Sequence, residues 1–332
     1  MFALRRKLLG SCSGPAQGSA AMSTTGECQM RRSTRTILAA AAAAMLLGGL
    51  APAAHAAPTP QDEPQLLLVH GHGRPDEGTN CNGTGGTWAD ALNYFEGAGG
   101  LDRDRMTTVA YYEGNAAGGP NEGNCDVTVS EATADTKIQD IAKDLANYVH
   151  DTYTSKGRSV NIAAHSMGGL VTRVALLGTA EGWDGFPSSM KVDNVATAGT
   201  PHQGVVEERD DDTAQWDQME PGSDFLKALH GEGRELGDEW TDGTDWTVIG
   251  SDADDVVSYD SAIDKGNATD QKFGYVDNGS AIGHSGLRTI SGPPHDYNLN
   301  YWNSSGQHHT TNGWAPLKTL FKAATEDGDG LP

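Results

Sequence analysis

The sequence predicts an α/β fold: a mostly parallel central sheet with helices on both faces and a cap or loop insertion late in the chain. Three observations carry that prediction. Short apolar runs alternate with stretches whose apolar residues recur every three or four positions. Runs such as "PQLLLVH" and "SVNIAAH" have no polar face, which suits strands buried on both sides. Ala164-His165-Ser166-Met167-Gly168 joins one such run directly to a helical pattern through small residues.

The chain opens on a segment that is not expected to be part of the fold. Arg31, Arg32 and Arg35 precede an apolar run from Ile37 to Leu50, and Ala54-His55-Ala56 supplies a small-x-small site. That is the anatomy of a secretory signal peptide cleaved before Ala57, with Met22 or Met30 as the real initiator of an over-extended start. The run is too short and too rich in Ala and Gly for a membrane span. No cysteine stands directly after the cleavage site, so a lipid anchor is not expected. Ala57 to Pro332 then suits one large domain. Removing residues 1–56 takes away six Lys/Arg and one acid, leaving 17 basic residues against 44 acidic and a net charge of −27. Such a surface repels nucleic acid and anionic membranes. Cys81 and Cys125 are the two cysteines that stay, and in an exported chain they are expected to pair.

The elements follow in order. Pro64 to His70 reads as the first strand. "TWADALNYF" places Trp88, Leu92 and Phe95 at helical spacing, and "RMTTVAYY" is a second strand. A Gly/Asn-rich loop runs from Ala116 to Cys125. Ile138, Ile141, Leu145 and Val149 mark an amphipathic helix, and Leu170, Val174 and Leu177 mark another beyond Ser166. "MKVDNVATAG" and "DWTVIGS" are further strands, and "NGWAPLKTLFKAA" is a closing helix. Alternation of this kind implies a parallel sheet covered on both sides. The acidic stretch from Gln203 to Gly243 admits two readings. It is either a cap over a site or a set of solvated loops around one helix at 221–230.

A serine hydroxyl is a poor nucleophile unless it is exposed, paired with a base and supplied with donors for the oxyanion. A sharp strand-to-helix turn supplies the exposure, and small neighbours are what such a turn requires. A serine that merely capped the helix would not need them on both sides. Ser166 is therefore the candidate nucleophile. In this arrangement an acid and a histidine follow in chain order. "TVIGSDADDVVS" is a strand ending in acids, and "AIGHSGL" places His284 in a small-residue loop about thirty residues later. His202, His230, His295, His308 and His309 compete, but order and spacing favour His284. The loop after the first strand, "HGHG", has Gly71 and Gly73 for close approach, so the His72 N–H would join that of Met167 as an oxyanion donor. His-x-His can also bind metal, but no clear third ligand lies nearby.

The motifs "VHGHG", "AHSMGG", "GTPHQG", "DADDVVS" and "GHSGL" together resemble the secreted bacterial lipases and esterases of the α/β-hydrolase fold, lipase class 2 in particular. The elbow with alanine first is similar to that of the small Bacillus lipases. The resemblance spans Leu66 to about Leu287 by motif. It implies Ser166 as nucleophile, Asp254 as acid, His284 as base, and His72 and Met167 as oxyanion donors. It also implies hydrolysis of carboxylic esters or lipids through an acyl-enzyme, without a cofactor. A structural Ca²⁺ is the one metal the acid-rich loops "ERDDD" and "SDADD" suggest, though neither has a defined loop pattern. The chain departs from the family in having Asp255 where glycine is usual, a long acidic insertion and the cysteine pair. The rival readings are another acyl-transfer enzyme on the same fold (a polyester hydrolase, phospholipase, thioesterase or acyltransferase) or a binding protein with a dead site. The few, spaced apolar residues of the insertion point to soluble esters of short or medium acyl chain rather than oil surfaces.

Overall fold

A computed structural model describes residues 63–73, 80–112, 124–206 and 213–326. The expected signal peptide with its cleavage site, most of the Gly/Asn-rich loop and the "ERDDD" run lie outside the described residues.

One sheet organises the fold, in the order β3-β2-β1-β4-β5-β6-β7-β8-β9. Its first seven strands are parallel: β1 (Gln65–Val69), β2 (Met106–Tyr112), β3 (Val127–Ala132), β4 (Val160–His165), β5 (Val192–Ala198), β6 (Asp245–Ser251) and β7 (Gln271–Tyr275). The last two, β8 (Tyr297–Asn303) and β9 (Gly306–Gly313), run antiparallel at one edge. The mostly parallel sheet expected from the sequence is therefore present. Strands β3, β7, β8 and β9 were not apparent in the apolar pattern.

Alternation of side chains splits the interior into two layers. Leu67 and Val69 of β1 enter one core, shared with α2 (Ile138–Thr152) and α3 (Met167–Ala180). Leu66 and Leu68 enter the other, shared with α1 (Ala89–Gly97) and α6 (Pro316–Thr325). Helix α2 buries Ile138, Ile141, Ala142, Leu145, Ala146 and Val149. Its large aliphatic side chains contribute roughly 1.5–3 kcal/mol each, so packing rather than propensity holds it. Lys137, which precedes it, provides no side-chain cap, and the Ile138 N–H donates instead to Gln218 Oε1 at 2.8 Å.

Gln218 belongs to the insertion, where the two readings of the sequence part. The stretch holds two short helices, α4 (Ala214–Met219) and α5 (Asp224–Leu229). Trp216, Met219, Phe225, Leu226 and Leu229 are buried in the same core as α2 and α3. The two helices of the insertion are thus packed into the body, and the helix expected over 221–230 is confined to Asp224–Leu229.

Cys81 and Cys125 are disulfide-bonded, with Cα atoms 4.9 Å apart. Among the described residues no helix is long and apolar enough to cross a membrane.

Candidate active site

The order of the sheet reverses between β1 and β4, and ligands of open α/β sheets bind in the crevice beyond the strands' carboxyl ends at such a point. Ser166 stands there, between β4 and α3. Its backbone lies at φ 56°, ψ −133°, a region used almost only by glycine and costing on the order of 1–3 kcal/mol. Neighbouring bonds hold it in place. The Ser166 N–H donates to Ala198 O at 2.9 Å. Its carbonyl accepts from Gly169 N at 3.0 Å and from Thr200 Oγ1 at 2.9 Å. The side chain makes no helix-capping bond, so the capping reading of this serine fails.

The glycines around it are dictated by space. A Cβ on Gly71 would lie 2.6 Å from Ser166 Cβ. One on Gly168 would lie 2.3 Å from His70 O, and one on Gly169 2.1 Å from Thr200 Oγ1. The "SMGG" run is small because strand ends converge on the turn. Ala164, where glycine is more usual, is fully buried and fits without strain of this kind.

Two further strand ends deliver an acid and an imidazole. Asp254 follows β6, and His284 lies in the connection after β7. His284 Nδ1 donates to Asp254 Oδ2 at 2.9 Å, leaving Nε2 as the acceptor nitrogen of a neutral ring. The Asp254 carboxylate is fully buried, and its other oxygen accepts from Val256 N and Val257 N, each at 2.9 Å. Asp255 is exposed. Gly199, at φ 59°, passes beside the pair: a Cβ there would lie 3.2 Å from both Asp254 Oδ2 and His284 Nδ1. Because Ser166 N bonds the residue just before Gly199, the serine turn and the Asp254–His284 pair share one wall. His165 adds a second tie, its Nε2–H donating to His284 O at 2.9 Å. Burial holds its imidazole well below the ordinary pKa, so it is a neutral donor.

Gly71 brings the loop after β1 against Ser166, and His72 and Gly73 follow. The His72 ring meets the edge of Trp216 in α4, with centroids 5.6 Å apart. Gly73 N donates to Tyr112 Oη at 3.4 Å, and Tyr112 donates in turn to Gln215 Oε1 at 2.7 Å. The loop is thus tied to the insertion. Met167 opens α3 directly after the serine and is buried.

Residues 128–221 match the PGAP1-like alpha/beta domain, a span from β3 through α4 that contains the Ser166 turn. The chain has the α/β-hydrolase fold. Solved structures similar to it include a mature Bacillus licheniformis lipase, at 16% identity and a TM-score of 0.39, with 64% of this chain and 82% of that one covered. A Legionella pneumophila phospholipase in complex with thio-NAD gives 14% and 0.40, covering 60% of this chain and 43% of that one. A Bacillus subtilis carboxylesterase gives 12% and 0.36, with 69% and 80% covered. The chain spans less than half of the phospholipase. No curated protein matches the chain.

The other histidines of this α/β-hydrolase fold are bonded elsewhere. His202, fully buried and pushed down to a pKa of about 3 by burial, lies between Thr197 Oγ1 and Arg173. His230 donates from Nε2 to His202 O at 2.8 Å. His308 and His309 bond Ser305 and Asn300 on the β9 hairpin, and His295 contacts Lys318. Arg173 of α3 and Asp264 form a fully buried ion pair at 3.4 Å. Among the described residues no three His, Cys, Asp or Glu side chains are grouped to hold a metal.

The contacts of Thr200, His165, Tyr111 and Arg173 were not foreseen. His165 and Thr200 lay inside motifs, "AHSMGG" and "GTPHQG". The rest act across strands whose register the sequence does not print.

Proposed function

We propose that the protein is a secreted serine hydrolase of carboxylic esters. Ser166 Oγ attacks the ester carbonyl while His284 Nε2 takes its proton, and Asp254 orients the ring and stabilises the imidazolium. The N–H groups of His72 and Met167 receive the oxyanion. Collapse of the tetrahedral intermediate releases the alcohol with the proton from His284, leaving an acyl-serine. Water, deprotonated by the same nitrogen, then frees the acid. The observation that carries the reading is Ser166 held at φ 56° in a turn with no room for side chains on three flanking glycines. Such strain is retained where a function needs it. The Asp254–His284 bond beside that turn supports the roles of acid and base.

Treatment with an organophosphonate followed by peptide mass spectrometry should place the adduct on Ser166. Ser166→Ala should lower ester kcat by about 10⁴–10⁶. Labelling of another serine, or near-normal turnover by the variant, overturns the reading. Running thioester and amide substrates in the same assay separates an esterase from the other acyl-transfer chemistries.

A further inference from the structure

An N–H group stabilises an oxyanion only if it is aimed before the charge forms, and the His72 N–H has an obvious way to be misaimed. It belongs to the peptide that follows Gly71. Gly71 has no Cβ because Ser166 leaves no space for one. The same lack of a Cβ lets the flanking peptide rotate at little cost. A site that needs glycine here therefore also needs something to stop the peptide from turning over.

The structure contains such a restraint beneath the loop. Tyr111, on β2, is fully buried, and its hydroxyl lies 2.7 Å from His70 O and 2.9 Å from Gly71 O. His70 Nδ1 lies 2.7 Å from the same Gly71 O. A carbonyl can only accept, so Nδ1 carries the hydrogen for Gly71 O, and Tyr111 shares its one hydrogen between His70 O and Gly71 O. The two rings stack, with centroids 4.1 Å apart and planes 17° apart. Burial holds His70 near pKa 4 and raises Tyr111 well above its ordinary value, so both are neutral donors at neutral pH. The peptide is trans, since the only cis bond among the described residues is Gly292–Pro293. In a trans peptide the C=O and N–H point opposite ways. Gripping Gly71 O from the interior therefore sends the His72 N–H out of the other side of the loop.

We propose that Tyr111 is a positioning residue for the oxyanion site: with His70 it clamps Gly71 O and so presents the His72 N–H. The inference rests on the reading of Ser166 as nucleophile and His72 as donor. It goes beyond that reading in assigning a function to two buried side chains that never touch substrate.

Tyr111→Phe keeps the ring and its stack and removes only the hydroxyl. Because loss of one oxyanion donor lowers kcat by about 10²–10³, its misalignment should lower kcat by roughly 10–100-fold, with KM within about twofold. A trifluoromethyl ketone of the same acyl chain, which mimics the tetrahedral state, should bind more weakly by the same factor. The corresponding ground-state amide should bind as before. A merely structural role would not separate the two ligands. His70→Asn, which keeps a side-chain donor, should retain more activity than His70→Leu, and that pair stands as the test if Tyr111→Phe does not fold. Phosphonate titration of Ser166 separates the layers of the argument. Full labelling of Tyr111→Phe with kcat unchanged, or with ketone affinity unchanged, overturns the clamp alone. Wild-type protein that is not labelled at Ser166 overturns the clamp and the reading beneath it.

Discussion

Asp254 and Asp255 are adjacent in sequence and opposite in setting. The first is buried, bonded to His284 and braced by two backbone N–H groups; the second faces solvent. Asp254→Asn should therefore reduce kcat by about 10⁴, the loss typical when a triad acid becomes an amide and the histidine takes the wrong tautomer. Asp255→Asn should stay within about twofold, as exposed substitutions usually do. Steady-state kinetics on one soluble ester decides the matter, and the reverse order would move the role to Asp255. The candidate site was legible to this depth because small residues around a serine, and acids at a strand end, are local signals. Tyr111 and Thr200 were not legible. Tyr111 reaches residues 40 and 41 positions away and Thr200 one 34 away, so their contacts exist only once strands are set side by side.

Helices α4 and α5 are built into the body rather than laid over it. Gln215 ties Tyr112 to the carbonyls of Thr133 and Thr136, and Gln218 caps α2. Lifting both helices would expose five large apolar side chains at roughly 1.5–3 kcal/mol each. That sum rivals the stability of an entire domain, about 5–15 kcal/mol. A lid that opens on an oil surface is therefore not expected. Of the large apolar side chains among the described residues, only Val206 is markedly exposed, at 52%. A p-nitrophenyl ester series should show kcat/KM highest for short or medium acyl chains and no jump when micelles form. A steady rise to long chains with interfacial activation would refute the fixed cap. The sequence made α2 and α3 plain by their helical apolar spacing, and β1, β4 and β6 by short apolar runs. It hid β8 and β9, an edge hairpin whose exposed face reads Gln307, His309, Thr311, all polar.

Three buried histidines give the folded chain a definite response to acid. His70 is held at about 4, His202 at about 3 and His165 well below its ordinary value, all by burial. Unfolded, each takes a proton near 6.5. Below 6.5 the unfolded chain thus binds more protons, so stability complete above that value is lost as pH falls toward 4 and 3. Repulsion among surface acids, which the net charge of −22 makes considerable, relaxes over part of the same range. At physiological salt its reach is only about 8 Å, so the buried groups should dominate. Calorimetry should find Tm level from pH 8 to 7 and falling from 6.5 to 4, with a shallower fall in His202→Gln. A Tm that holds or rises down to pH 4 would show that surface repulsion wins.

The turn at Ser166 sets two kinds of selection against each other. Its backbone geometry suits glycine, and glycine is the one replacement that relaxes the turn while deleting the hydroxyl. A library of this chain screened only for heat resistance would therefore enrich a more robust protein without the proposed nucleophile. Directed evolution here must score turnover in every round, because an accessible route to a hardier fold passes through the residue proposed to attack the ester.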